Sequence, residues 1–121
     1  MISIDATIDS WLDGYAEPDA ARRKELIGRV WAPDGRLVDP PIEGTGHDGI
    51  GDVAAALQSQ FPGHTFQRTS GIDAHHGFAR YEWTMLAPDG TTVLTGLDIA
   101  EVADDGTLQR VVGFFGPLAA A

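Results

Sequence analysis

The chain contains no cysteine. Disulfide frameworks, thiol nucleophiles and thiolate metal sites are therefore excluded. Basic residues are few: 8 Lys and Arg stand against 18 Asp and Glu in 121 residues, a formal net charge of −10. This balance repels phosphate backbones and anionic headgroups, so no nucleic-acid partner and no membrane partner is expected. No apolar run approaches the ~20 residues of a membrane span. The opening Met1-Ile2-Ser3-Ile4-Asp5 lacks the basic start of a secretory signal. A cytoplasmic protein is the expectation. Walker, GxGxxG, GxSxG and HExxH patterns are missing as well, which argues against nucleotide hydrolysis, dinucleotide chemistry, serine hydrolysis and zinc proteolysis. What is present is ordinary globular material, 43% hydrophobic and 21% charged, in a length that suits one domain over residues 1–121.

The first half has helical period. Ile4, Ile8, Trp11, Leu12 and Tyr15 recur on one helix face. Pro18 suits the first turn of a second helix and Asp19 its positive end. Leu26, Ile27, Val30 and Trp31 form the apolar stripe of that helix, which Pro33-Asp34-Gly35 ends. Arg36 to Asp39 reads as a short strand stopped by Pro40-Pro41, and Glu43 to Gly46 as a loop. A third helix starts near His47 or Asp48, carries Ile50, Val53, Ala54, Leu57 and Phe61 on one face, and stops at Pro62-Gly63.

After Gly63 the period changes to alternation. Residues 65–76, 78–87, 91–103 and 107–117 read as strands, with hairpin turns at Pro88-Asp89-Gly90 and Asp104-Asp105-Gly106. The order predicts an α+β fold: about three helices on one face of a curved antiparallel meander of four strands or more. The concave side of such a sheet is a natural place for a small ligand.

Two acids stand out. Asp39 ends a short strand before Pro40-Pro41, where partial burial would tune it as a general base. Asp98 lies between Leu97 and Ile99 inside an apolar strand, and Asp is depleted from strand interiors. A protonated carboxyl in an apolar pocket can donate to a developing oxyanion. An ion pair of Asp98 with Arg80 or Arg110 is the structural alternative. Arg80 and Glu82 share one strand face and are pocket candidates, with a surface ion pair as the other reading. His76 falls on that face if no bulge intervenes. His75-His76 cannot jointly chelate one ion from a regular strand, so no metal is expected. Trp11, Tyr15, Trp31, Trp83 and Phe115 are the aromatic candidates for contact with an apolar ligand. Trp11 and Tyr15 stand one turn apart on the same helix face.

The element order, with Leu37-Val38-Asp39-Pro40 after the second helix, resembles the nuclear transport factor 2-like superfamily, which includes SnoaL-like polyketide cyclases, ketosteroid isomerases and limonene epoxide hydrolases. The resemblance covers nearly the whole chain. It implies a cone of curved sheet closed by helices, of the cystatin-like kind, and a homodimer through the outer sheet face. Asp39 in Val38-Asp39-Pro40 is similar to the ketosteroid isomerase base. Asp98, Gly106 and Phe115-Gly116 match the run from that family's oxyanion-hole acid to its final strand. Trp11 stands where that family has an oxyanion Tyr, and Tyr15 lies one turn further on. Arg80-Tyr81-Glu82 is similar to the Arg-x-acid pair of the epoxide hydrolases, whose second acid falls at Gly113 here. Thr95-Gly96-Leu97-Asp98 and Val112-Gly113-Phe114-Phe115-Gly116 look most like bacterial SnoaL-like proteins. The resemblance implies a cofactor-free acid–base enzyme for a hydrophobic carbonyl compound. A non-catalytic binding or dimerisation protein of the same fold is the alternative, and epoxide hydrolysis ranks lower.

Overall fold

Ser3 accepts a hydrogen bond from Ala6 N on its hydroxyl, which caps α1 (Ile4–Tyr15). The computed structural model describes residues 3–121. Asp19 caps α2 (Ala20–Val30) in the same way, through Arg22 N at 2.9 Å. Both helices bury one apolar stripe: Ile8, Trp11, Leu12 and Tyr15 on α1, Ile27 and Val30 on α2.

The chain turns extended at Trp31, so the second helix is shorter than its apolar stripe predicts. Trp31 opens β1 (Trp31–Asp39), and Pro33-Asp34-Gly35 lies within that strand rather than ending a helix. The register with the neighbouring strand shifts between Trp31 and Arg36, which is where these residues are absorbed. The stretch read as a loop is β2 (Ile42–Thr45), paired to β1 across Pro40-Pro41, whose peptide bond is cis. Next come α3 (Gly46–Gln60), β3 (Thr65–Arg68), β4 (Asp73–His75), β5 (Phe78–Leu86), β6 (Thr92–Val102) and β7 (Leu108–Phe115). The single strand expected over residues 65–76 is therefore two short ones.

The seven strands form one sheet in the order β2-β1-β7-β6-β5-β3, with β4 also on β5. Neighbours are antiparallel except β1 and β7, which run parallel. The sheet is thus mixed rather than purely antiparallel, because the first strand comes back beside the last. It curls without closing, and the helices cover its concave side. Ile8, Trp11, Trp31, Leu37, Ile50, Tyr81, Leu108 and Val111 fill the space between with almost no exposure. The fold class is α+β, as the change of period after Gly63 predicts.

Candidate active site

Alternation on β5 and β6 decides what enters the concave side. Ala79, Tyr81, Trp83 and Met85 point inward from β5, and Gly96, Asp98 and Ala100 from β6. Asp39 joins them from the end of β1. Of these, Trp83, Met85, Asp98 and Asp39 line a cavity of about 300 Å³. Its wall is largely apolar, with the rings of Trp11, Tyr15, Phe61, Phe66, Trp83 and Phe115 set among aliphatic side chains, and Asp39 and Asp98 are its acids. No Lys, Arg or His lines it among the described residues.

The rings form a connected stack. Tyr15 lies between Trp11 and Phe66, with centroids 4.8 and 5.0 Å away and nearly parallel planes. Trp83 meets Phe66 and Phe115 edge-on at 5.6 and 5.8 Å. Each such pair adds roughly 0.5–1.5 kcal/mol beyond burial. Gly96 makes the placement of Trp83 possible, since a side chain there would overlap the indole ring.

Both acids are buried, at 7% exposure for Asp39 and 5% for Asp98. Asp98 Oδ2 accepts from Tyr81 Oη at 2.9 Å, and its Oδ1 accepts from Trp83 Nε1 at 2.8 Å. Asp39 Oδ2 accepts a longer bond from Tyr15 Oη at 3.4 Å. Burial pushes Asp39 up to about 6, against the pull of the Tyr15 hydroxyl. Burial, and then the charge of Asp39, push Asp98 up to about 7, against the two hydrogen bonds it accepts. Tyr15 and Tyr81 are held above their ordinary range, by burial first and by the neighbouring acids second, and stay neutral.

Several candidates lie elsewhere. Trp31 is fully buried behind Trp11, edge-on at 5.2 Å, and does not line the cavity. His76 sits exposed in the turn between β4 and β5 with φ 51°, so its expected strand face does not exist. Arg80 and Glu82 do share a face, but it is the outer one. Arg80 pairs there with Asp73 at 3.0 Å, and Arg110 pairs with Glu101, so neither arginine reaches Asp98. The Arg-x-acid similarity therefore has no counterpart in the cavity. Sequence reasoning missed Tyr81 as a partner of Asp98, and Phe66, Leu57, Phe61, Pro40 and Pro41 as lining. The signal for Tyr81 was available: alternation places it on the same face as Trp83. Among the described residues no group of three His, Cys, Asp or Glu is placed to hold a metal ion, and no helix is long and apolar enough to cross a membrane.

Comparison with known proteins agrees with this architecture. The model of the SnoaL-like domain matches residues 8–111. A SnoaL-like protein from Agrobacterium tumefaciens, described as a candidate isomerase, is 34% identical over 93% of this chain and 96% of its own, with a TM-score of 0.87. A protein of ketosteroid isomerase-like fold from Catenulispora acidiphila, solved in complex with trimethylamine, is 12% identical over 91% and 85%, with a TM-score of 0.74. A candidate SnoaL-like polyketide cyclase from Jannaschia sp. CCS1 is 14% identical over 90% and 84%, with a TM-score of 0.66. The last two likenesses are of fold. No curated protein matches the chain.

Proposed function

The chain belongs to the SnoaL-like family, and from that premise we propose that it is a cofactor-free acid–base enzyme, of isomerase or cyclase type, acting on an apolar carbonyl compound. The observation that carries the reading is the pair of buried acids in one apolar cavity, both with raised proton affinity and, among the described residues, with no Lys, Arg or His lining it. Near neutral pH such a pair divides into one ionised and one protonated member. Asp39, held by Tyr15 at one oxygen, takes a proton from the carbon next to the carbonyl. Protonated Asp98 donates a hydrogen bond to the oxygen on which negative charge develops. Asp39 then returns the proton to another carbon, or, in a cyclisation, the enolate carbon attacks a second carbonyl carbon of the same molecule, whose π electrons pass to its oxygen, and Asp39 gives its proton to that alkoxide. The aromatic walls exclude water and hold a flat apolar body.

The test is solvent deuterium incorporation next to the carbonyl in a panel of small cyclic ketones and enones. The native protein exchanges the hydrogen, and D39N slows the exchange by roughly 10²–10⁴-fold, the usual worth of a positioned base. Binding of these compounds without exchange would replace this reading with a second one, a non-catalytic small-molecule binder. The specific support for that alternative is that both oxygens of Asp98 already accept hydrogen bonds from the protein.

The reading includes a cytoplasmic homodimer. Ile99 and Phe114 are 43% and 55% exposed on the outer sheet face, paired with Val112 and Leu97 across β6 and β7, and Phe78, 45% exposed, lies opposite Glu101 on the same face. An apolar patch of this kind on a sheet face marks an association surface.

A further inference from the structure

Asp39 and Asp98 come from strands on either side of β7. The residue between them is Gly113. It pairs with Asp98 across the β6–β7 ladder, and on the other side Val38 pairs with Val112, which brings Asp39 alongside Gly113. A Cβ on Gly113 would overlap Asp39 Oδ1 outright and would stand 2.8 Å from Asp98 Oδ1. Both oxygens therefore crowd the space of one missing methyl group, less than about 5 Å apart, where like charges on two acids interact strongly.

The hydrogen bonds supply an independent observation. Three of the four carboxyl oxygens accept a bond, from Tyr15, Tyr81 and Trp83. The fourth, Asp39 Oδ1, is buried and has no hydrogen-bond partner among the described residues. A buried acceptor calls for a donor. Its neighbour across Gly113 is Asp98 Oδ1, and a proton on that oxygen provides one. The other titratable groups facing the pair are Tyr15 from α1 and Tyr81 from β5, whose hydroxyl protons are already committed to Asp39 Oδ2 and Asp98 Oδ2. The α3, β1, β2 and β3 side of the cavity adds no further charge.

We infer that Asp39 and Asp98 form a single acid–base unit sharing one proton across Gly113, and that Gly113 is the positioning residue that lets them meet. In the empty site Asp98 donates to Asp39 Oδ1 and damps its basicity. A ligand oxygen that takes over the Asp98 hydrogen bond releases Asp39 as a stronger base. No O–H bond breaks in that exchange; only the acceptor changes. This ligand-dependent release rests on the carbonyl chemistry proposed above, whereas the shared proton does not.

The test is a carboxyl ¹³C NMR titration of the full chain, with D39N, D98N and G113A as variants. In the native protein each of the two carboxyls senses two steps, more than about one pH unit apart. D39N and D98N each leave one step, and in D39N the remaining Asp98 titrates below the native upper step. In G113A the added Cβ displaces Asp39 and the two steps draw together. Independent single steps in the native protein, unmoved when the other acid becomes Asn, would overturn the shared proton. A folded G113A with unchanged steps would remove the positioning role. If G113A does not fold, the two Asn variants still decide the sharing. The titration needs no substrate, so its failure and a failure of the deuterium-exchange test are separate results.

Discussion

Tyr81 and Trp83 each donate one short hydrogen bond to Asp98, and each bond favours the ionised acid. Tyr81→Phe therefore raises the Asp98 pKa further and lowers stability by about 1–2 kcal/mol, as expected for a buried bond left half-made. Carboxyl NMR and urea unfolding check the two effects separately. The raised affinities of Asp39 and Asp98 also set a pH dependence. Unfolding returns both acids to the ordinary value of 3.8. Between that value and about 6 to 7 the folded chain binds more protons than the unfolded one. Their contribution is full below 3.8 and is lost as pH rises through about 6 and then 7, by an amount on the order of a few kcal/mol. Urea midpoints at pH 5 and pH 8 should show this fall in the native protein and a smaller one in D98N. Asp98 was legible in the sequence because an acid between Leu97 and Ile99 in a strand needs a reason to be there. Which way its strand faced was not, since alternation fixes two sets of residues without saying which set is inside. The same ambiguity left Arg80 and Glu82 open between cavity and surface, and Tyr81 was not singled out although alternation puts it on the face of Trp83.

Elements meet the site through a few ties. Arg68 on β3 grips Asp9 on α1 with Nε at 2.7 Å and Nη2 at 2.9 Å, and its Nη1 donates to Ser70 O. This two-pronged pair pins the helix that carries Trp11 and Tyr15 to the edge of the sheet. Asp9 lies below its ordinary value, chiefly through the Arg68 hydrogen bond. Its stabilisation is thus present above 3.8 and is lost as pH falls through the lowered value, opposite in sign to the cavity acids. Because both side chains are partly in water, Asp9→Asn costs about 1 kcal/mol or less at neutral pH. Thermal unfolding near pH 7 and pH 3 would show the difference between native and variant chains shrinking in acid. The start of the second helix was readable to within two residues from Pro18 and Asp19, because end signals are local chemistry, although Asp19 is its cap and Pro18 stands before it rather than in its first turn. The beginning of β1 was not. Pro33-Asp34-Gly35 carries a strong local turn signal, but pairing with β7, more than seventy positions away in the chain, overrides it.

At the scale of the whole molecule, the outer sheet face carries the proposed self-association. Phe114→Glu places a charge against Leu97 in the apolar patch. It should convert the dimer to a monomer with little change in the cavity, because Phe114 points away from it. Light scattering at micromolar concentration reads the mass, and a native chain of monomer mass would end the dimer reading. The sequence pattern gave the α+β class, but the parallel contact between β1 and β7 joins segments that no hairpin signal connects. That contact also orders events during synthesis. β7 follows every other element in the chain, yet it is the strand against which both β1 and β6 lie. Until it has been synthesised, Asp39 and Asp98 have no common neighbour. A nascent chain halted before Leu108 would display two unpaired strand edges and a half-built aromatic wall, a combination that chaperones bind and that promotes aggregation. The two acids of the cavity thus gain their shared neighbour only when β7 pairs with β1 on one side and β6 on the other.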